Sequence, residues 1–382
     1  MSPRAGRPLV HAITPGDHFS PRTGSAVPTV VDGLSRHQPP GSHRPTVLVA
    51  RGTYPDRYPS ADVVEYQQRR SRRTDRYVDS ALARVGAPRI AARRAFAAVV
   101  GGQDGWAPSF VLAHNAPALV PLVGARHVPV LYAHNQVLRT YTTRDAGRTL
   151  ANAPVVVCVS DFLAEQVRAR LPGELGDRVR TVRNGVDPAL LDVERAELAD
   201  DGLHVVYVGR VIPDKGVHVL LAAVGALDRS DVRVTIVGRP GFDARDPLTP
   251  YEQELRRTAA GLRSPVRFAS FLARDALPAV LATASVVVVP STWPEPFGLT
   301  ALEGMAAGAA VVASDVGGLP EAVGDGGLLV PPGDVDRLAE ALDGLRDAQI
   351  LEQAQARARA VARTRTWAAS ATRLDEVLEA YR

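Results

Sequence analysis

The chain has 382 residues. One hydrophobic core stops growing at roughly 250–300 residues, so two domains are expected. Apolar residues at 46% and charged residues at 23% exclude a largely disordered chain, and Gly (32) and Pro (30) without a period exclude a fibrous one. The net charge of +4 conceals an asymmetry: residues 1–186 carry 25 basic and 13 acidic side chains, residues 187–382 carry 20 and 28.

Opposite signs in the two halves place a division near residue 186, and a basic first half suits either an anionic partner or membrane surface, or attraction between the halves themselves. A single cysteine, Cys158, excludes a disulfide framework and a Cys-based zinc cluster; it sits in the apolar run 155–159 and reads as an inert core residue. No apolar stretch reaches the roughly 18 residues of a spanning helix. The start MSPRAGRPLVHAI enters a strand without the longer apolar stretch of a signal peptide, so a cytoplasmic location is expected.

In chain order, the first half predicts strands at 8–13, 45–50, 110–114, 128–133, 154–159 and 179–183, with helices at 26–36, 80–99, 116–125 and 161–171. The stretch 65–76 (EYQQRRSRRTDR) reads as helical and carries five Arg between Arg69 and Arg76. It suits a solvated face, anionic lipid at a peripheral membrane contact, or an anionic substrate. No aromatic or DNA-reading signature accompanies it, so no nucleic-acid partner is expected. The acidic segment 186–202 reads as a linker. The second half predicts strands at 203–208, 232–237, 266–271, 285–289 and 309–313, and helices at 215–227, 250–262, 275–283, 299–307, 334–347 and a long terminal stretch 350–381. Val-rich strands alternating with helices predict buried parallel sheets with crossovers, hence two doubly wound α/β domains. Ligands of such sheets bind beyond the carboxyl ends of the strands, most naturally between the domains.

Two strings carry the chemistry. In 290–303 (PSTWPEPFGLTALE) a Val-run strand leads through Glu295 and the turn Pro296-Phe297-Gly298 into a helix bearing Glu303. The helix start aims free backbone N–H groups at a ligand, Gly298 permits close approach, and the two carboxylates contact different parts of an extended molecule. In 205–216 (VVYVGRVIPDKG) an apolar strand ends in Gly209-Arg210, and Lys215-Gly216 opens a helix. Two cations with four residues between them, at a strand end and a helix start, suit a diphosphate. Lys215 is the one lysine among 45 basic residues, as if this position needs a compact ammonium.

Together with 232–238, 266–271, 305–320 and 327–333, these strings resemble the nucleotide-sugar-binding domain of retaining GT-B glycosyltransferases of family 4 (glycosyl transferases group 1). Residues 366–382 look like that family's closing helix, and 19–34, 131–136 and 184–187 match its first half more loosely, with Gly24-Ser25 where a Gly-Gly pair is common. The resemblance implies an α/β GT-B fold: two Rossmann-like domains facing across a cleft (1–186 for the acceptor, 187–365 for the nucleotide sugar), with helix 366–382 returning to the first. It implies sugar transfer from a nucleoside diphosphate donor, UDP favoured over GDP, to an acceptor expected to be a small molecule such as a natural-product intermediate. A lipid-linked or cell-surface glycan acceptor, a GT-B epimerase or hydrolase, and a non-catalytic binding protein stay open as alternatives. Carried onto this sequence, Arg210 and Lys215 hold the diphosphate, Glu303 the ribose, and Glu295 the sugar hydroxyls with the amides of Phe297, Gly298 and Leu299. His134 lies beside the transferred sugar, Gly24 and Gly209 approach the phosphates, and the base sits near Gly238, Phe271 and Leu272. No Asp-x-Asp lies in the strings that carry the chemistry (the sequence's Asp334-Val335-Asp336 falls outside them), so no metal or other cofactor is expected, and departure of the diphosphate is stabilised by the two cations and the helix.

Overall fold

The computed structural model describes residues 6–68, 74–84, 87, 89–195, 202–241 and 246–382. By compactness the chain divides into two units: one holds residues up to Pro21, Ser25–Arg183 and Ala368–Arg382, the other Arg22–Gly24 and Asn184–Trp367.

The first unit is built on β1 (Leu9–Ala12), β2 (Thr46–Ala50), β3 (Asp62–Tyr66), β4 (Phe110–His114), β5 (Val128–Ala133), β6 (Val155–Cys158) and β7 (Val179–Thr181). They form one sheet in the order β3-β2-β1-β4-β5-β6-β7, every pair parallel. The second unit holds β8 (Leu203–Val208), β9 (Val232–Val237), β10 (Val266–Ala269), β11 (Val286–Val289), β12 (Ala310–Ser314) and β13 (Leu328–Val330). Its order is β10-β9-β8-β11-β12-β13, again all parallel. Each unit is therefore a doubly wound α/β sheet, with its strand order reversing between β1 and β4 or between β8 and β11. The central strands are continuous apolar runs because helices cover both faces; Val205, Val206, Val286 and Val287 are fully buried.

Several predicted elements are corrected. Residues 65–66 belong to β3, not to a helix: Asp62–Tyr66 is an edge strand paired only with β2, so its polar side chains face water and it lacks an apolar run. Residues 69–73 of the Arg-rich stretch lie outside the described residues, and a helix starts at Asp75. The helix expected over 80–99 is two, Asp75–Arg84 and Ala91–Ala97, with Gly86 and Pro88 between them in the sequence. The one expected over 116–125 is a 3-10 helix, Pro117–Leu122, because Pro121 cannot supply an α-helical N–H. The terminal stretch is two helices, Ala348–Thr364 and Trp367–Glu379. The break arises because Arg365 and Trp367 bond Val186 instead of continuing the helix, the Val186 amide donating to the Arg365 carbonyl (2.9 Å) and the Trp367 amide to the Val186 carbonyl (3.2 Å). A helix at Thr143–Leu150 was not predicted: its sequence is polar and contains Gly147, where a Cβ would press on Pro172.

Among the described residues no helix is long and apolar enough to cross a membrane.

Candidate active site

The second unit assembles most of the singled-out residues beyond the carboxyl ends of β8, β9, β10 and β11. Beyond β8 the chain turns through Gly209 and Arg210 into a 3-10 turn, Pro213–Lys215, and then the helix Val217–Leu227. The turn is pinned by the buried Tyr207, whose phenol donates to the Arg210 carbonyl (2.7 Å), and by Gly216 at φ 70°, where any Cβ would overlap the Pro290 carbonyl. Arg210 is exposed, and among the described residues its guanidinium has no hydrogen-bond or ion-pair partner in the protein.

Lys215 is placed differently. Its ammonium is ion-paired with Glu295 Oε1, which also accepts from Ser291 Oγ (2.6 Å). Glu295 is 8% exposed, and its backbone carbonyl accepts from the Gly318 amide (2.7 Å). That close approach is why Gly317 and Gly318 stand there: a Cβ on either would run into the backbone of 294–297. Burial and the neighbouring Glu295 charge push the Tyr207 phenol well up, so it stays a neutral donor holding the Arg210 loop. Phe297 is buried, and Gly298 adopts φ 111° immediately before the helix Leu299–Ala306, whose ladder starts with the Ala301 amide on the Gly298 carbonyl (3.1 Å), so the Leu299 and Thr300 amides precede it.

A cavity of about 110 Å³ gathers Gly24, Gly209, Arg210, Gly238, Phe271, Leu272 and Glu303, together with Arg239, Arg274 and Thr300. Gly238 takes φ 131° with its Cβ position against the Gly209 carbonyl, so the β8 and β9 termini touch backbone to backbone. Glu303 is 3% exposed and ion-paired through Oε1 to Arg274. Ser25 turns its hydroxyl onto Asp17 Oδ1 (3.0 Å) as the chain enters the helix Ala26–Arg36.

Sequence reasoning missed Arg274, Ser291 and the Gly317-Gly318 pair as partners of the two carboxylates. Arg274 lies 29 positions from Glu303, and no spacing rule links a strand-end loop to a later helix. Arg239 was also missed; it is buried, reaches Glu252 Oε1 at 2.7 Å and holds the 246–247 carbonyls.

His134 belongs to the first unit, just past β5. It is 5% exposed, and its backbone N–H donates to Asn115 Oδ1 (2.7 Å), with Asn115 itself in the left-handed region at φ 52°. Its Nε2 meets His114 Nδ1 at 2.8 Å, and His114 Nε2 meets His11 Nδ1 at 2.9 Å. Burial holds His134 and His11 down at about 3 and His114 well below the ordinary imidazole value. Cys158 is buried and its thiol is pushed up to about 12, so it is no thiolate nucleophile at neutral pH.

A family model described as Glycosyltransferase Family 4 matches residues 27–190, and one described as Glycosyl transferases group 1 matches residues 202–347. With the two parallel sheets, these matches place the chain in family 4 of the GT-B-fold glycosyltransferases, to which it belongs. The alpha-maltose-1-phosphate synthase of Mycolicibacterium smegmatis is 36% identical over 259 residues, 59% of this chain and 64% of that protein. The D-inositol 3-phosphate glycosyltransferase of Acidothermus cellulolyticus is 36% identical over 252 residues, 60% of this chain and 55% of that protein. The chain thus spans between half and two thirds of the length of these curated relatives. Among solved structures, Anabaena Alr3699/HepE in complex with UDP-glucose aligns with a TM-score of 0.73 at 20% identity, covering 98% of this chain and 100% of that one. The sucrose-phosphate synthase of Thermosynechococcus elongatus aligns with a TM-score of 0.73 at 22% identity, covering 98% and 99%. At such identities the likeness establishes the fold.

Proposed function

We propose that this chain transfers a glycosyl group, with retention of anomeric configuration, from a nucleoside diphosphate sugar to a small-molecule acceptor, and that UDP is the nucleotide. The observation that carries the reading is one cavity in the second unit that joins Arg210, the Gly209–Gly238 backbone contact, Phe271 and the buried Glu303. A free guanidinium suits a diphosphate, glycine backbone admits phosphate oxygens, an apolar wall takes a base, and a buried carboxylate accepts from ribose hydroxyls. The relatives named for maltose 1-phosphate and inositol 3-phosphate support a phosphorylated polyol or sugar as one class of small-molecule acceptor.

In this reading Lys215 and Glu295 are stored as an ion pair and exchange partners when the donor arrives. The ammonium turns to the diphosphate and the carboxylate to sugar hydroxyls. As the anomeric C–O bond breaks, negative charge grows on the leaving phosphate oxygen, where Arg210, Lys215 and the first amides of Leu299–Ala306 stabilise it. The sugar becomes oxocarbenium-like, and the departing phosphate takes the acceptor's hydroxyl proton as the acceptor attacks from the same face. Because these charges do the work of a Lewis acid, transfer should proceed without a divalent ion.

Thermal-shift measurements with UDP, GDP, ADP and TDP test the donor class. At a hundredfold excess over Kd the cognate nucleotide adds about 2.7 kcal/mol of stability, a rise in Tm of a few degrees. Product should form only when acceptor is present and should persist in EDTA. No shift with any of the four, or activity abolished by EDTA and restored by magnesium, contradicts the respective part of the reading.

A further inference from the structure

Three of the first unit's histidines stand on neighbouring strands of one sheet, His11 in β1, His114 at the end of β4 and His134 directly after β5. In register, His11 lies opposite Leu112 and His114 opposite Tyr132. Alternation along β4 and β5 then puts His11, His114, Tyr132 and His134 on one face, across the point where the strand order reverses. Their ring nitrogens form one continuous chain, 2.9 Å from His11 Nδ1 to His114 Nε2 and 2.8 Å from His114 Nδ1 to His134 Nε2. Tyr132 lies against His134 with ring centroids 4.8 Å apart and planes within 8°, fixing the ring's orientation. Both ends are open: His11 Nε2 and His134 Nδ1 are buried and have no hydrogen-bond partner among the described residues.

A neutral imidazole carries one proton, with one nitrogen a donor and the other an acceptor. Three neutral rings so joined have only two proton arrangements, and the whole chain takes one or the other. If His11 Nδ1 donates to His114 and His114 Nδ1 donates to His134, the open ends are a lone pair on His11 and an N–H on His134 Nδ1. Each arrangement leaves one buried N–H without a partner among the described residues, on His134 Nδ1 in the first and on His11 Nε2 in the reverse. Buried unpaired donors are rare, so the open N–H belongs at the end that a ligand can reach. His11 is 0% exposed, whereas His134 stands past the carboxyl end of its strand, where parallel sheets receive ligands.

From this geometry we infer that His11 and His114 are positioning residues that lock His134 with its proton on Nδ1, so that it presents an N–H donor to an oxygen of a substrate bound at the carboxyl end of this sheet. The inference rests on the proposed transferase reading, in which the carboxyl end of this sheet takes a substrate. The chain acts as a single latch. Removing the donor at its far end, His11, two rings along the chain from His134, releases the tautomer of His134. Burial keeps all three rings neutral, so the latch does not open by protonation near neutral pH.

The test is direct and needs no variant at first. In protein labelled with ¹⁵N-histidine, two-bond ¹H–¹⁵N correlations at pH 7 report the tautomer of each ring; the expected pattern is Nδ1–H on all three histidines, and Nε2–H on His134 overturns the inference. His11→Asn keeps an amide donor near the Nδ1 position, and His11→Leu removes it. His11→Leu should give a mixed His134 tautomer and lower kcat about 3–10-fold, the range of one net hydrogen bond, while UDP affinity stays within about twofold. His11→Asn should restore kcat and the single tautomer. A folded His11→Leu protein with wild-type kcat overturns the inference, as does failure of His11→Asn to differ from His11→Leu. If the wild-type protein neither binds UDP nor transfers sugar, the functional reading fails, and the tautomer pattern still decides the latch.

Discussion

Arg210→Ala and Lys215→Ala should each lower kcat by roughly 10²–10³, the loss measured when one preorganised group is removed from a developing anion. The two variants separate chemistry from folding in different ways. Arg210 is exposed and unpaired among the described residues, so its truncation should change stability by no more than an ordinary surface substitution, about 0.5 kcal/mol. Lys215 neutralises Glu295, which is 8% exposed. Removing the ammonium leaves that carboxylate with Ser291 as its remaining side-chain partner among the described residues and should cost about 1–3 kcal/mol of stability besides turnover. The double variant Lys215→Ala with Glu295→Gln removes the stranded charge, so it should regain Tm but not kcat. Steady-state kinetics beside thermal melts read both quantities, and full transfer activity in Arg210→Ala and Lys215→Ala would remove the diphosphate assignment.

Acid should unfold the protein through the first unit's histidine chain. The folded-state values lie near 3 for His11 and His134, and lower than the ordinary 6.5 for His114 as well, because burial penalises the imidazolium. A group whose folded value is depressed below 6.5 leaves the unfolded chain binding more protons at any pH between the two. Stability is then complete above about 6.5 and falls as pH drops toward 3. Each ring contributes a slope of up to about 1.4 kcal/mol per pH unit, so the three together approach 4 kcal/mol per unit once the unfolded histidines are protonated. Urea unfolding at pH 7.5, 6.5 and 5.5 samples this window before most carboxylates titrate. Stability should decline steeply from 6.5 to 5.5, and the decline should be about a third shallower in His11→Leu. Stability that stays level across that range is incompatible with three buried neutral rings.

What could be read from residues alone follows from how local each signal is. The β8 and β11 loops were legible because a β-branched run, a glycine and a charged residue lie within a dozen positions, and the short-range geometry of a strand-to-helix turn fixes where they point. Gly298 and Gly216 stand at positive φ, the conformation glycine adopts without strain, each immediately before a helix. The partners of those residues were not legible. Arg274 reaches Glu303, and Gly318 reaches Glu295, only through packing of separate crossovers. The histidine chain was invisible for the same reason. His11 and His114 are single polar residues in apolar strands, and only the register of β1 against β4 and of β4 against β5 sets their rings in line. Edge strand β3 was lost because half its surface faces water and erases the apolar pattern. Helix Thr143–Leu150 was lost because Gly147 is selected by a contact with Pro172 rather than by helix propensity.

The central claim concerns where a nucleotide sugar's diphosphate rests, and the most direct measurement is a crystal structure of the protein with UDP bound. The account predicts diphosphate oxygens within hydrogen-bonding distance of the Arg210 guanidinium and the Lys215 ammonium and facing the first amides of Leu299–Ala306, with the ribose on Glu303. A diphosphate seated away from Arg210 and Lys215, with their side chains unchanged, would contradict it.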